Sequence, residues 1–345
     1  MTRLELLLGA TVAIIALPFT GLLLLYQWPA GIAAANSPLV VWHLLAILGV
    51  AAWVVRYDLP LGLFAAYLAL DALRAPVPAR AWLMADAVAL GAAAFILVRR
   101  LGWPWTDLLR FLLGLSGVVQ AVLAGLQLAG LDPFYAADAP FKATGTMVGT
   151  LGNDTWLGAY LALVGAAAPW WSIPACLAGQ IFARNRLGLL ALLIALAVRY
   201  RHAWRFLGPP ATIGAVLAGW WWADKTWDSL WSRLEVWRQG LRVWWDHGIV
   251  FGLGPGSWAW YLPQFDTREH FAQAHQEYLQ LLFEGGAVGL GFVVWWVWIH
   301  RARLVGHPGA WALAVLCAGT FPFHVAIVAA TAVIVLALPA THAQD

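Results

Sequence analysis

Long apolar runs alternate with short polar connections along the chain, and this alternation is typical of a protein that crosses a membrane many times. One spanning helix needs about 20 apolar residues. We predict helices at these apolar runs: 4–27, 38–55, 60–74, 80–98, 106–129, 154–170, 172–183, 186–199, 206–223, 276–300, 309–321 and 323–339. The pattern predicts an all-α polytopic membrane protein with about 12 transmembrane helices.

One long polar stretch, residues 224–275, divides this single integral membrane domain of residues 1–345. The remaining parts are N-terminal spans in 1–130, middle spans in 131–223 and C-terminal spans in 276–345. The first run is longer than the apolar core of a signal peptide, so we expect an uncleaved first span.

The composition supports lipid as the main solvent of the chain. Hydrophobic residues make up 62% and charged residues 11% of the sequence, whereas soluble domains carry about 25% charged residues. The formal net charge of +3 is too small to indicate a nucleic-acid partner. Cys176 and Cys317 lie in separate apolar runs, so we expect two buried thiols and no disulfide.

Basic residues of the short connections predict the orientation, because they favour the cytoplasmic side. With twelve spans, a consistent set falls on that side: Arg3, Arg56, Arg99, Arg100, Arg199, Arg201, Arg205, Arg301 and Arg303. Arg74 and Arg80 are exceptions. Both termini are then cytoplasmic, and the loop 224–275 is periplasmic or extracellular. The basic residues of this outer loop are explained either by a bound anion or by pairing with acids of the same loop.

The loop contains an amphipathic helix, which we predict from Trp227 to Trp245. Helical spacing puts four residues on one face: Arg233, Trp237, Gly240 and Trp244. A different face carries Glu235, Arg238 and Arg242, whose spacing pairs both arginines with a local acid. Arg233 has no acid three or four residues away and is the better candidate for an external anion. The alternative is an interfacial helix with tryptophans at headgroup depth and Arg233 on lipid phosphate.

The remaining candidates follow this helix or precede it. Gly252, Gly254 and Gly256 predict a tight turn, and no strand or GK[ST] motif makes it a nucleotide loop. His275 lies at the outer end of the next span, as a cap, a headgroup contact or a base. Glu284 is nine residues further on, so a direct dyad with His275 is not expected. Glu277, Gln280 and Glu284 lie on one helical stripe, and Arg184 and Arg186 separate two apolar runs on the predicted outer side.

Four segments between about residues 140 and 340 resemble the O-antigen ligase and polymerase family in the expected order. GTLGNDTWLGAYLAL (149–163) is similar to its glycine-asparagine turn before a span, and ARNRLGLLALL (183–193) to its Ser-Arg span start, with Asn185 where Ser is common. SRLEVWRQGLRVWWDHGIVFGLGPGSW (232–258) resembles its Arg-x3-Trp helix and glycine turn. AHQEYLQLLFEGGAVGL (274–290) resembles its His-Asn-x-Tyr-Leu signature, with Gln276 replacing the usual Asn.

The resemblance implies a glycosyltransferase of the bacterial cytoplasmic (inner) membrane, with a fold similar to the polytopic GT-C class. The donor would be a glycan on undecaprenyl diphosphate, and the acceptor a glycan, a lipid or a protein. Arg186 and Arg233 then align with functional arginines that stabilise the leaving diphosphate, and His275 with the essential histidine, a general base for the acceptor hydroxyl. No metal or cofactor is expected.

We predict a surrounding substrate-binding set of Arg184, Trp237, Arg238, Arg242 and Glu284. Trp237 would pack beside the arginine or a sugar ring, and Glu284 would be structural or a distant electrostatic partner. Two other classes stay open: a transporter or flippase for a lipid-linked glycan, which typically shows repeats and broken helices, and a non-catalytic membrane scaffold. The chain shows neither repeats nor broken helices clearly in its sequence. Within the enzyme class, a ligase, a polymerase and a protein O-glycosyltransferase remain possible.

Overall fold

The computed structural model describes residues 38–133, 147–201, 226–265 and 273–340. Every regular element among these residues is helical, and none is a strand. The α-helices are α1 (Pro38–Val55), α2 (Leu59–Asp71), α3 (Pro78–Arg100), α4 (Trp105–Leu128), α5 (Asp154–Ala167), α6 (Ile173–Ala183), α7 (Arg186–Arg199), α8 (Thr226–His247), α9 (Trp258–Tyr261), α10 (Glu277–Val305), α11 (Pro308–Gly319) and α12 (Ala326–Ala337). Four short 3₁₀ helices lie between them: Ala72–Arg74, Trp170–Ser172, Leu262–Gln264 and Pro322–His324.

The all-helical prediction is confirmed over the described residues. Each apolar run predicted within them coincides with a helix, and the short run 172–183 is α6. The runs 4–27 and 206–223 lie outside the described residues. Three of the described helices are long and apolar enough to cross a membrane, at Arg80–Arg100, Trp105–Leu128 and Glu277–Val305. Val41–Val55, α11 and α12 are shorter apolar helices.

The chain divides into two compact units. The first comprises the described residues of Met1–Arg100 and Asp228–His300, and the second those of Leu101–Trp227 and Arg301–Asp345. Arg233, Trp237, His275 and Glu284 therefore belong to the first unit, whereas Arg184 and Arg186 belong to the second.

In the first unit, α1, α2 and α3 pack against one another. Buried polar side chains join the helices: Nε2 of His43 lies 3.0 Å from Oδ1 of Asp86, and Asp58 links α2 to α10. Asp58 caps the start of α2 and accepts hydrogen bonds from Nε1 of Trp296 at 3.0 Å and Nε2 of His300 at 2.8 Å. Pairing of this kind is what allows polar groups to be buried in an apolar interior.

In the second unit, α5 is the central helix and packs against α4, α6, α7, α11 and α12. All of its residues from Leu157 to Ala167 are buried. Gly158 and Gly188 let α5 and α7 approach closely, because a Cβ on Gly188 would lie 2.7 Å from the backbone of Gly158. The two cysteines are buried free thiols, as predicted.

Candidate functional site

The inner face of α8 packs on the aromatic core of the first unit. Trp237, Val243 and Trp244 contact a cluster of buried residues: Val236, Trp258, Leu262, Phe265, Ala274, Leu279 and Phe283. Gly240 faces the same cluster, and a Cβ there would lie 2.8 Å from the ring of Trp258. The predicted amphipathic helix and the predicted face with Trp237, Gly240 and Trp244 are therefore confirmed.

The glycine turn after α8 fills a break in α10. Gly286 interrupts this helix with φ of 63° and ψ of −166°, a region that is essentially limited to glycine. The carbonyls of Phe283 and Glu284 are thereby freed, and they accept hydrogen bonds from the amides of Leu253 and Gly254, both at 2.9 Å. The sequence did not clearly show a broken helix, and this break corrects that interpretation.

Two further bonds complete the exchange across the break. The amides of Ala287 and Val288 donate to the carbonyls of Ile249 at 2.9 Å and Val250 at 3.0 Å. Four backbone groups that an unbroken helix would use internally are thus bonded to the turn. Gly252, Gly254 and Gly256 all have positive φ, of 70°, 92° and 75°, so the predicted structural turn is confirmed.

Glu284 holds the far end of this turn. Its carboxylate accepts hydrogen bonds from the amides of Gly256 at 2.9 Å and Trp258 at 3.3 Å, and from Nε2 of Gln280 at 3.1 Å. The side chain is buried, with 3% of its surface exposed. Glu284 therefore joins α10 to the turn and to the start of α9, and its predicted place in the substrate-binding set stays a prediction.

His275 precedes α10 and is not part of it. Its backbone has φ of 55°, in the left-handed region that residues with a Cβ rarely adopt. The next residue, Gln276, caps the helix: its side-chain oxygen accepts the amide of Leu279 at 2.5 Å, and its carbonyl accepts the amide of Gln280. The departure from Asn to Gln at this position thus preserves a capping amide. Because His275 is outside the helix, its relation to Glu284 is not set by helical spacing.

Arg233 and His275 come together in the first unit. The charge of Arg233 and the burial of the imidazole both lower the pKa of His275, and burial is the larger cause. The resulting pKa is about 4, against an ordinary value of 6.5. The imidazole is therefore neutral at pH 7 and has a lone pair that can accept a proton.

The other predicted arginines of α8 lie on its exposed face. Arg238 and Arg242 are exposed, and together with Leu241 and Trp245 they line a shallow groove of about 560 Å³. Trp237, which also packs on the aromatic core, lines the same groove beside the two arginines. Their predicted substrate contacts stay predictions.

Arg184 and Arg186 flank a helix start in the second unit. Arg184 is exposed and ends α6 in the left-handed region, with φ of 52°. Asn185 caps α7, since its side-chain oxygen accepts the amide of Gly188 at 2.6 Å. Asn185 thus performs the capping that a serine also performs. Arg186 is the first residue of α7 and is half-buried.

The predicted turn before α5 lies close to this helix start. Gly149 and Gly152 have positive φ, and the side chain of Asn153 caps α5 by accepting the amides of Thr155 and Trp156. Asn185 also contacts this region, because its amide nitrogen lies 3.4 Å from the carbonyl of Asp154. The motifs at 149–163 and 183–193 therefore meet in one place in the second unit.

Sequence reasoning missed Arg74 and Gln280 as organising residues of the first unit. Arg74 pairs with Asp71 and donates to the carbonyls of Phe251 and Gly252. These bonds give a structural reason for Arg74, which was an exception to the distribution of basic residues that predicted the orientation. Within the described ranges, no three His, Cys, Asp or Glu side chains are grouped as metal ligands would be.

In comparisons with known proteins, no family model, no curated protein and no solved structure matches the chain.

Proposed function

We propose that the chain is a membrane glycosyltransferase that moves a glycan from an undecaprenyl diphosphate carrier to an acceptor hydroxyl, as an O-antigen ligase or polymerase. The observation that carries the proposal is the half-buried imidazole of His275, whose pKa is lowered to about 4 by burial and by the nearby charge of Arg233. A base beside a fixed cation suits a reaction that removes a proton at one atom and releases an anion at another.

In the proposed reaction, the acceptor oxygen attacks the anomeric carbon while its proton passes to His275. The bond from that carbon to the diphosphate breaks, and the lipid diphosphate leaves with the electron pair. Arg233 would stabilise the charge that develops on this leaving group. Arg186, in the second unit, is the proposed second cation, on the strength of the sequence resemblance.

The low pKa of His275 fits this reaction when the donor is bound. An imidazole with a pKa of about 4 is a weak base on its own. The negative diphosphate of the donor would offset the charge of Arg233, which is one of the two causes of the low pKa. Donor binding would therefore strengthen the base at the moment when the acceptor must lose its proton.

The proposal includes the predicted topology. We place the chain in the bacterial cytoplasmic membrane with about 12 spans, both termini in the cytoplasm and the loop 224–275 on the periplasmic or extracellular side. The amphipathic α8 and the break in α10 would then lie at the outer membrane surface, where a lipid-linked glycan presents its diphosphate.

One observation favours the transporter or flippase as a second candidate. Transporters typically contain helices that are broken near the midplane, with the freed backbone groups facing a substrate or an ion. The break in α10 at Gly286 resembles that feature. Its freed groups are, however, bonded to residues 249–254, so the break supports the turn and favours the enzyme.

The test is a surface-glycan gel of the native host after deletion of the gene and complementation with variants. His275→Asn is a sharper null variant than His275→Ala, because Asn tolerates the left-handed backbone at this position. We expect it to lower transfer by a factor of about 100 or more. His247→Asn is the matched control, since His247 is exposed at the end of α8.

The pattern on the gel distinguishes the activities. Loss of attached long glycan with accumulation of lipid-linked polymer indicates a ligase, and collapse of the ladder to one repeat unit indicates a polymerase. Full rescue by normally expressed His275→Asn would refute the catalytic mechanism. The transporter or flippase would then be the better candidate. An unchanged ladder after deletion would refute the role in this surface glycan.

A further inference from the structure

The backbone at His275 is held by side chains from two helices. The carbonyl of Ala274, in the peptide group that joins it to His275, accepts a hydrogen bond from Nε1 of Trp237 at 2.6 Å. The amide of Ala274 donates to Oε1 of Gln280 at 3.0 Å. Ala274 is 2% exposed, so both of its polar backbone groups are satisfied by side chains away from water.

The residue after His275 is fixed as well. Gln276 is the capping residue of α10, bonded through both its side chain and its carbonyl to the first turn of that helix. His275 is thus a left-handed residue between two anchored neighbours. A disfavoured backbone conformation persists only where its surroundings determine it in this way, and such positions are concentrated at functional sites.

We propose that Trp237 and Gln280 are positioning residues: they hold the backbone of Ala274, Trp237 at its carbonyl and Gln280 at its amide, and thereby place the imidazole of His275 beside Arg233. That this placement serves transfer rests on the proposed function, whereas the placement itself does not.

Trp237 makes two structural contacts, and its predicted substrate contact stays a prediction. Its indole N–H is used by the carbonyl of Ala274, and its ring packs on the buried aromatic cluster. Arg233 lies one helical turn before Trp237 on α8. A single helix therefore carries both the cation and the donor that fixes the neighbouring histidine, so their separation is set by helix geometry.

Trp244 offers a matched control. It lies on the same helix and packs on the same cluster as Trp237. Its buried Nε1 has no acceptor among the described residues. The changes Trp237→Phe and Trp244→Phe both reduce an indole to a phenyl ring, but only the first removes a hydrogen bond to the segment of His275.

The test measures the rate at which diethyl pyrocarbonate modifies His275 in the full-length purified protein, followed by mass spectrometry at pH 7. We expect Trp237→Phe to raise this rate about five-fold, the ratio that corresponds to one ordinary hydrogen bond. Trp244→Phe should match the wild type. His307, which is 2% exposed and lies in the second unit, is the internal reference and should be unchanged in both.

An unchanged rate in Trp237→Phe, or an equal rise in both variants, would overturn the proposal. Gln280→Met provides a second variant, which removes the other bond to Ala274. Both bonds hold Ala274. In the double variant, the reagent should therefore modify His275 more slowly than the product of the two single-variant effects predicts. Rates that multiply independently would refute a shared hold on Ala274.

Transfer activity separates this inference from the proposed function. If His275 is the base, Trp237→Phe should lower kcat about five-fold and leave KM unchanged, and Trp244→Phe should do neither. If His275→Asn kept full transfer, the proposed function would fail, while the modification rates would still decide whether Trp237 and Gln280 position the imidazole.

Discussion

The starts of α7 and α10 share one backbone arrangement. In each, a residue with left-handed φ is followed by an amide side chain that caps the helix: Arg184 and Asn185 in the second unit, His275 and Gln276 in the first. Arg184 and His275 are the non-glycine residues with positive φ in the described part of the chain. Both belong to motifs that carried the family resemblance.

The two starts differ in what holds the unusual residue. Arg184 ends α6, and the local bond from the amide of Asn185 to the carbonyl of Gln180 closes that helix, which is a common reason for a left-handed residue. The peptide before His275 is instead held by Trp237, which is 37 residues away in sequence. A conformation with a local cause indicates a turn, whereas one imposed by distant contacts favours a functional position.

The largest expected effect comes from closing the break in α10, a feature that α7 does not share. A Cβ at Gly286 would clash with the backbone of Val250, Phe251 and Gly252. The backbone conformation of Gly286 is also one that only glycine adopts readily. We therefore expect Gly286→Ala to lower the free energy of unfolding by about 3 kcal/mol or more. Thermal unfolding of the purified protein in detergent measures the loss.

Gly291→Ala is the control on the same helix. A Cβ at Gly291 meets no atom within 4 Å, so this change should be neutral or stabilise by up to about 1 kcal/mol. Equal effects of the two changes would show that the bonds between α10 and residues 249–254 do not form.

Sequence patterns predicted the elements better than their contacts. The bounds 186–199 coincide with α7, and the apolar and basic spacing of residues 227–245 identified α8 and its buried face, because these features depend on local periodicity. The break at Gly286 was hidden in an apolar run that reads as one span. Its cause is a set of bonds to residues 30 to 38 positions earlier in the chain.

The candidate site shows the same limit. Sequence spacing marked Arg233, His275 and Glu284, yet Glu284 binds the backbone of the glycine turn and Trp237 binds the backbone of Ala274. Backbone acceptors leave no sign in the identity of a residue, so these contacts could not be read from the chain. The capping role of Asn185 could have been predicted, since it directly precedes the predicted helix 186–199, whereas Gln276 is the first residue of the predicted run 276–300.

A second prediction compares the two caps directly. Asn185→Ala and Gln276→Ala each remove a hydrogen bond to the third amide of a helix, and each should lower the free energy of unfolding by about 1 kcal/mol. Only Gln276→Ala should also raise the modification rate of His275, because only that cap fixes a neighbour of the imidazole.

Asn185→Ser and Gln276→Asn are the matched controls, since Ser and Asn cap helices well. Both should keep the stability of the wild type in the same unfolding measurement. If Gln276→Ala left the modification rate of His275 unchanged, the backbone at His275 would be held only by the bonds that Trp237 and Gln280 make to Ala274.

The smallest expected effect concerns the charge beside the imidazole. Arg233 is the second cause of the low pKa of His275, after burial. In Arg233→Gln we therefore expect this pKa to rise from about 4, but to stay below the ordinary value of 6.5 because the group remains buried. The midpoint of the pH dependence of His275 modification measures it, with Arg238→Gln, on the exposed face of α8, as the control.

The sign for stability follows from the same pKa. The folded protein holds His275 neutral down to about pH 4, whereas the unfolded chain protonates it near pH 6.5. Its contribution to the free energy of unfolding is therefore complete above pH 6.5 and is lost as the pH falls towards 4. Arg233→Gln should raise the lower limit of this pH range above about 4, because it raises the pKa of His275 in the folded protein. A midpoint that stayed at about 4 would mean that burial alone sets the pKa of His275. The charge of Arg233 would then have no effect on the imidazole at the start of α10.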